Sequence, residues 1–79
     1  MTDKQAHEAS LLDVEMVYAA WIANFGNTRI ETIEEAIAPR CCLVTADIMR
    51  KTDQRLAAFS NRKILDALEQ IVDRKKHLQ

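Results

Sequence analysis

Within 79 residues this chain has one glycine, Gly26, and one proline, Pro39. These residues are the usual means of turning a chain sharply, so the turns must be few and the connections short. An all-β fold needs a turn roughly every ten residues, which this sequence does not supply. Disorder is excluded as well, because 48 % of the residues are apolar. The fold class that remains is all-α: a small bundle of three to four short helices in a single domain, 1–79.

A domain this short buries only about 60–65 % of the surface its unfolded chain exposes. Such a core usually needs a staple, a metal or a partner subunit. The high apolar content therefore predicts that homodimerisation completes the bundle. No apolar run reaches the roughly 18–20 residues of a membrane span. The sequence Met1-Thr2-Asp3-Lys4-Gln5 is polar and lacks an apolar signal region, so the expected location is cytoplasmic.

Residues 1–9 read as a frayed lead-in, with Thr2 and Gln5 able to cap an earlier start. Ser10 followed by Asp13 predicts the start of the first strong helix. That helix runs to Phe25, with Gly26 in the left-handed position beyond it. Leu11, Val14, Tyr18, Trp21, Ile22 and Phe25 form one stripe at helical spacing. Leu12, Met16, Ala19 and Ala20 add a second apolar flank. A helix this apolar around its circumference is normally buried on most sides. It is expected to be the hydrophobic centre, with the six-residue stripe serving as core and dimer interface.

Thr28-x-x-Glu31 is a capping box for a second helix that Pro39 stops, or kinks at Ala38. Residues 40–44 read as a short buried connector or as the first turns of the next helix. The third helix is placed over about 45–59, with Thr45 as its N-cap and Ile48, Met49, Leu56 and Phe59 inward. Ser60 or Asn61 caps the fourth, whose stripe is Ile64, Leu65, Leu68, Ile71 and Val72. Its end, Arg74-Lys75-Lys76-His77, places cations at the negative pole of the helix dipole.

The net charge of −1 conceals a division. Residues 1–39 hold seven acids and two bases, residues 40–63 two acids and six bases, and residues 64–79 three of each. Either the acidic second helix lies beside the basic third and neutralises it, or the basic segment meets a partner protein or phosphates. The residues for such a face are Arg50, Lys51, Arg55, Arg62 and Lys63. Overall near-neutrality weighs against strong nonspecific nucleic-acid binding, which needs several unneutralised cations.

Motifs for chemistry are missing from the sequence. There is no Gly-rich phosphate loop, no Gly-x-Ser-x-Gly and no His-Glu-x-x-His. Glu31, Glu34 and Glu35 cluster on one helix, but carboxylate metal sites in bundles add a Glu-x-x-His on a neighbour, and none is present. Cys41 and Cys42 are adjacent, too close for a relaxed disulfide between them. They read as reduced thiols, and a redox or metal role would need partners from a second subunit. Neither His7 nor His77 is placed by sequence as a base for them. No catalytic residue, metal or cofactor is expected.

A helix-turn-helix over Ile33–Phe59 would use 45–59 as the recognition helix. The connection Pro39–Val44 is longer and more apolar than the usual 3–4-residue turn. Two segments, Ile30-Glu-Thr-Ile-Glu-Glu-Ala-Ile37 and Asp53-Gln-Arg-Leu-Ala-Ala-Phe-Ser-Asn-Arg-Lys-Ile-Leu-Asp66, resemble stretches of the Hha/YmoA family. That family comprises small helical modulators that bind nucleoid-structuring proteins. Asp53, Arg55, Leu56, Ala57, Lys63 and Asp66 carry the resemblance, which covers about a quarter of the chain, requires a short deletion between the blocks, and does not extend to the C-terminal part. It implies a regulatory binding role. Taken together, the residues predict a non-enzymatic regulatory or inhibitory protein that binds another protein as a homodimer. The alternative is a nucleic-acid-binding transcriptional modulator using residues 40–63.

Overall fold

The computed structural model describes residues 9–78. The lead-in expected over residues 1–8 lies outside the described residues. Four α-helices and one 3-10 turn make up the regular structure among those described: α1 Leu11–Phe25, α2 Ile30–Ile37, α3 Cys42–Thr52, the turn Gln54–Leu56, and α4 Asn61–His77. No strand occurs among them, so the chain is all-α.

The ends of α1 are as the sequence predicts. Ser10 Oγ accepts from the Asp13 N–H at 3.1 Å, and Asp13 Oδ2 accepts from the Ser10 N–H at 3.3 Å, which closes a reciprocal capping box. Gly26 follows at φ 62°, and its N–H returns to the Ile22 carbonyl at 2.8 Å. Ala9, read from the sequence as frayed, is instead buried, and its carbonyl accepts from Gln70 Nε2 at 3.3 Å.

Two other expectations at helix starts are corrected. The Thr28 capping box does not form. Trp21 Nε1–H donates to the Asn27 carbonyl at 2.6 Å, and Asn27 Oδ1 accepts from the Arg29 N–H at 2.8 Å. These bonds hold the connection so that α2 opens one residue later, with the Arg29 carbonyl accepting from the Ile33 N–H. Pro39 then forces Ala38 into extended backbone, ψ 153°, and α2 ends.

The third helix begins at Cys42, not Thr45, and stops at Thr52, not 59. The Ala38 carbonyl accepts from both the Cys41 and Cys42 N–H groups at 2.9 Å, which turns the chain straight into α3. Thr45 thus lies inside the helix, buried, with Oγ1–H donating to the Ala36 carbonyl at 2.8 Å. At the other end the Asp53 carboxylate accepts from the Arg55 N–H at 2.9 Å and competes successfully with continuation of the helix. The 3-10 turn that follows swings Leu56 into the core. Ile48, expected inward with Met49 and Leu56, is exposed.

The hub is α4, not α1. It packs against α1, α2 and α3, while the other helices meet one another less extensively. Ser60 Oγ caps it by accepting from the Lys63 N–H at 3.1 Å. Ile64, Ala67, Leu68, Ile71 and Val72 form its buried stripe. Around it lie Val14, Val17, Ala20 and Trp21 from α1, Ile33 from α2, Ala46 and Met49 from α3, and Leu56. Two polar ties set the helices against one another: Lys76 Nζ to Glu34 at 3.0 Å between α4 and α2, and Lys63 Nζ to Asp13 at 3.5 Å between α4 and the start of α1.

Candidate protein-interaction surface

The sequence makes α1 apolar nearly all round, and the core accepts only one of its sides. At about 3.6 residues per turn, the buried Val14, Val17, Ala20 and Trp21 share a face. Leu11, Leu12, Ala19, Ile22 and Ala23 are exposed on the opposite one, with Glu15 the one charge among them. Of the six-residue stripe, the structure therefore places Val14 and Trp21 in the core. Tyr18 is half-buried, with Lys75 Nζ 5.6 Å from its ring centroid. Leu11 is 59 % exposed, and Ile22 and Phe25 are exposed.

A second exposed apolar group lies on α3. Leu43 and Val44 are 63 % and 61 % exposed, and Ile48 is open as well. The end of α1 and the start of α3 share a groove. Val44 and Phe25 line one groove of about 390 Å³ together with Trp21, Ala36, Cys41 and Thr45, and Glu35 and Arg40 stand in its walls. Phe25 leans on Trp21, with ring centroids 4.3 Å apart and planes tilted by 38°. Phe25, at the end of α1, and Val44, in the first turn of α3, thus share one groove. Leu43 and Val44 fall in the stretch whose form the sequence left open, so their exposure was not predicted. The available signal was an apolar pair beside the buried positions of an amphipathic helix.

The five cations assigned to a partner or nucleic-acid face behave differently. Each one is paired inside the chain. Arg50 and Lys51 both reach Asp47, at 3.6 and 2.9 Å. Arg50 also donates to Asn61 Oδ1. Arg55 grips Asp53 with two bonds, Nε to Oδ1 at 3.1 Å and Nη2 to Oδ2 at 2.7 Å. Arg62 lies 3.4 Å from Asp66. Lys63 pairs with Asp13 and also sits 5.1 Å from the Phe59 ring centroid. Hydrogen bonding from Lys51 holds the Asp47 carboxyl below the ordinary range, and hydrogen bonding from Arg55 does the same for Asp53.

The neutralising acids are not the ones expected. The acidic helix α2 does lie beside the basic α3, but its Glu34 pairs with Lys76 and its Glu31 with Arg29. Five of the six cations of the basic segment pair instead with Asp13, Asp47, Asp53 and Asp66, two of them sharing Asp47.

The connection between α2 and α3 is Ala38–Cys41, four residues. It is within helix-turn-helix length, contrary to the longer connection inferred from sequence. Yet α3 exposes Leu43, Val44 and Ile48, and its two basic residues, Arg50 and Lys51, are held by Asp47.

Cys41 and Cys42 are free thiols, Cys41 exposed and Cys42 partly so. Among the described residues no three of the His, Cys, Asp and Glu side chains gather in a group able to hold a metal ion. No helix among them is long and apolar enough to cross a membrane.

Compared with protein-family models, with curated proteins and with solved structures, the chain matches none. The resemblance of two segments to the Hha/YmoA family is thus not joined by a match over the whole chain.

Proposed function

We propose that this chain is a small non-enzymatic regulatory or inhibitory protein that acts by binding another protein, and that it does so as a homodimer. One contrast carries the reading. Every cation of the candidate basic face is paired with a carboxylate of the same chain, while large apolar side chains on α1 and α3 are left in water. Nucleic-acid affinity grows with the number of cations free to displace counterions. Protein association draws instead on apolar and aromatic surface. A helical domain of this size that exposes Leu11, Leu12, Ile22, Phe25, Leu43, Val44 and Ile48 carries more apolar surface than a solitary monomer needs. The proposal places this action in the cytoplasm, where a reducing environment keeps surface thiols such as Cys41 free.

The second reading, a nucleic-acid-binding modulator, draws on the four-residue connection before α3. A salt titration separates the two. Under the protein-binding reading, the chain shows no retention of duplex or single-stranded oligonucleotide near physiological salt, and Arg50→Ala with Arg55→Ala changes nothing. Affinity that falls steeply with salt and is lost in that double variant would establish the second reading in its place. Sedimentation equilibrium measures the dimer directly, and a monomer persisting at high micromolar concentration would remove that part of the proposal.

A further inference from the structure

The groove between the end of α1 and the start of α3 carries two charges that pair with no other charge among the described residues. Glu35 and Arg40 both line it, and both are exposed. Neither forms an ion pair among the described residues, not even with the other, although seven ion pairs form elsewhere among them. Apolar side chains line the same groove: Phe25 stacked on Trp21, Ala36, and Val44.

We propose that this groove is the homodimer interface and that a second copy of the chain docks on it about a two-fold axis. Glu35 of each copy meets Arg40 of the other, and Phe25 and Val44 form the apolar centre. The inference rests on the homodimer reading above and adds its surface and pairing.

Self-complementarity is what selects a second copy as occupant. In a two-fold interface, contact of one residue with a second on the partner copy requires the reciprocal contact. A patch with one unpaired anion and one unpaired cation at separate points satisfies that condition with itself. Each charge deleted from solvent then gains a partner, twice per dimer. The apolar centre supplies the hydrophobic term that rim charges do not. Size agrees as well. A standard interface takes about 800 Å² from each partner, roughly a seventh of the 5334 Å² accessible surface of this chain.

Charge reversal tests the pairing. In a dimer of Glu35→Arg, both contacts become cation against cation. In a dimer of Arg40→Glu, both become anion against anion. Each single variant is expected to weaken the dimer by about tenfold or more at sedimentation equilibrium, with unchanged helicity and melting of the monomer, since both side chains are exposed. An equimolar mixture of the two variants is expected to form heterodimers, because both contacts are then between opposite charges. The double variant E35R/R40E is expected to regain homodimerisation. If either single variant dimerises as tightly as the wild type, the groove is not the interface, and the homodimer reading stands without it. A wild-type chain that stays monomeric at high micromolar concentration overturns both.

Cys41 gives a second readout. It is exposed and lines the groove. In a Cys42→Ser background, alkylation of Cys41 by iodoacetamide is expected to slow several-fold as protein concentration rises through the dimerisation range. A rate independent of concentration across that range overturns the proposal.

Discussion

The indole Nε1–H of Trp21 donates to the main-chain carbonyl of Asn27 at 2.6 Å, bridging the end of α1 and the start of α2. One side chain thereby fills the core, at 1 % exposure, and sets the connection that follows its own helix. Trp21→Phe keeps an aromatic ring in the core but leaves that carbonyl without its donor. The expected loss is about 1–2 kcal/mol, or roughly 5–15 °C in melting temperature. Thermal denaturation followed by circular dichroism measures it. A variant as stable as the wild type would show that the indole contributes through packing alone.

Gly26 is a matter of conformation, not of space. Its φ of 62° lies in the left-handed region, and a Cβ built there meets nothing within 4 Å. Gly26→Ala is expected to cost about 1–2 kcal/mol, the intrinsic penalty of that backbone region for an L-residue. Gly26→Asn should cost less, because asparagine visits the region readily. Urea denaturation of the two variants should rank them in that order.

Thr45 is the sole buried polar residue among those described, and its hydroxyl donates to the Ala36 carbonyl at 2.8 Å. Thr45→Val preserves shape and removes the donor. About 1 kcal/mol of stability is expected to go with it. Thr45→Ser, which retains the hydroxyl, isolates the packing of the methyl group. The difference between the two variants in denaturant midpoint reports the bond.

Asp53 and Asp47 should titrate below the ordinary carboxylate range, held there by hydrogen bonds from Arg55 and Lys51. A carboxyl with a lowered native pKa is worth its stabilisation above its unfolded value, near pH 4, and loses it as pH falls through the native value. Stability is therefore expected to be flat in this contribution from neutrality to about pH 4 and to decline below. Carboxyl carbon chemical shifts followed by NMR give both titrations. In Arg55→Ala the Asp53 titration should move up towards the ordinary range while that of Asp47 stays where it was.

Much of the fold is legible locally. Ser10 with Asp13, Gly26, Pro39 and Ser60 act through bonds or dihedrals within a few residues of themselves, so their effects can be read from spacing. The stripe of α4 is legible for the same reason: polar residues flank Ile64, Leu68, Ile71 and Val72 and leave one side to bury. Where the expectation failed, a competing hydrogen bond had intervened, two to six residues away. Asn27 is occupied by Trp21, which suppresses the Thr28 box. Asp53 prefers the Arg55 amide to a longer helix. The Asp13–Lys63 pair joins residues fifty positions apart, and no local pattern announces it.

The sequence by itself determined that the chain is helical, where α1 and α4 begin and end, where α2 stops, and how rich the chain is in apolar side chains. These follow from glycine and proline counts, capping chemistry and composition, all of which act over short range. Which side of α1 is buried was decided only by the tertiary structure. Since α1 is apolar on nearly every side, its own periodicity marks no preference, and the choice falls to α4, the helix that packs against all the others. That choice sends Val14, Val17 and Trp21 inward, leaves Leu11, Ile22 and Phe25 outside, and brings Phe25 beside Val44, Glu35 and Arg40 in a single groove.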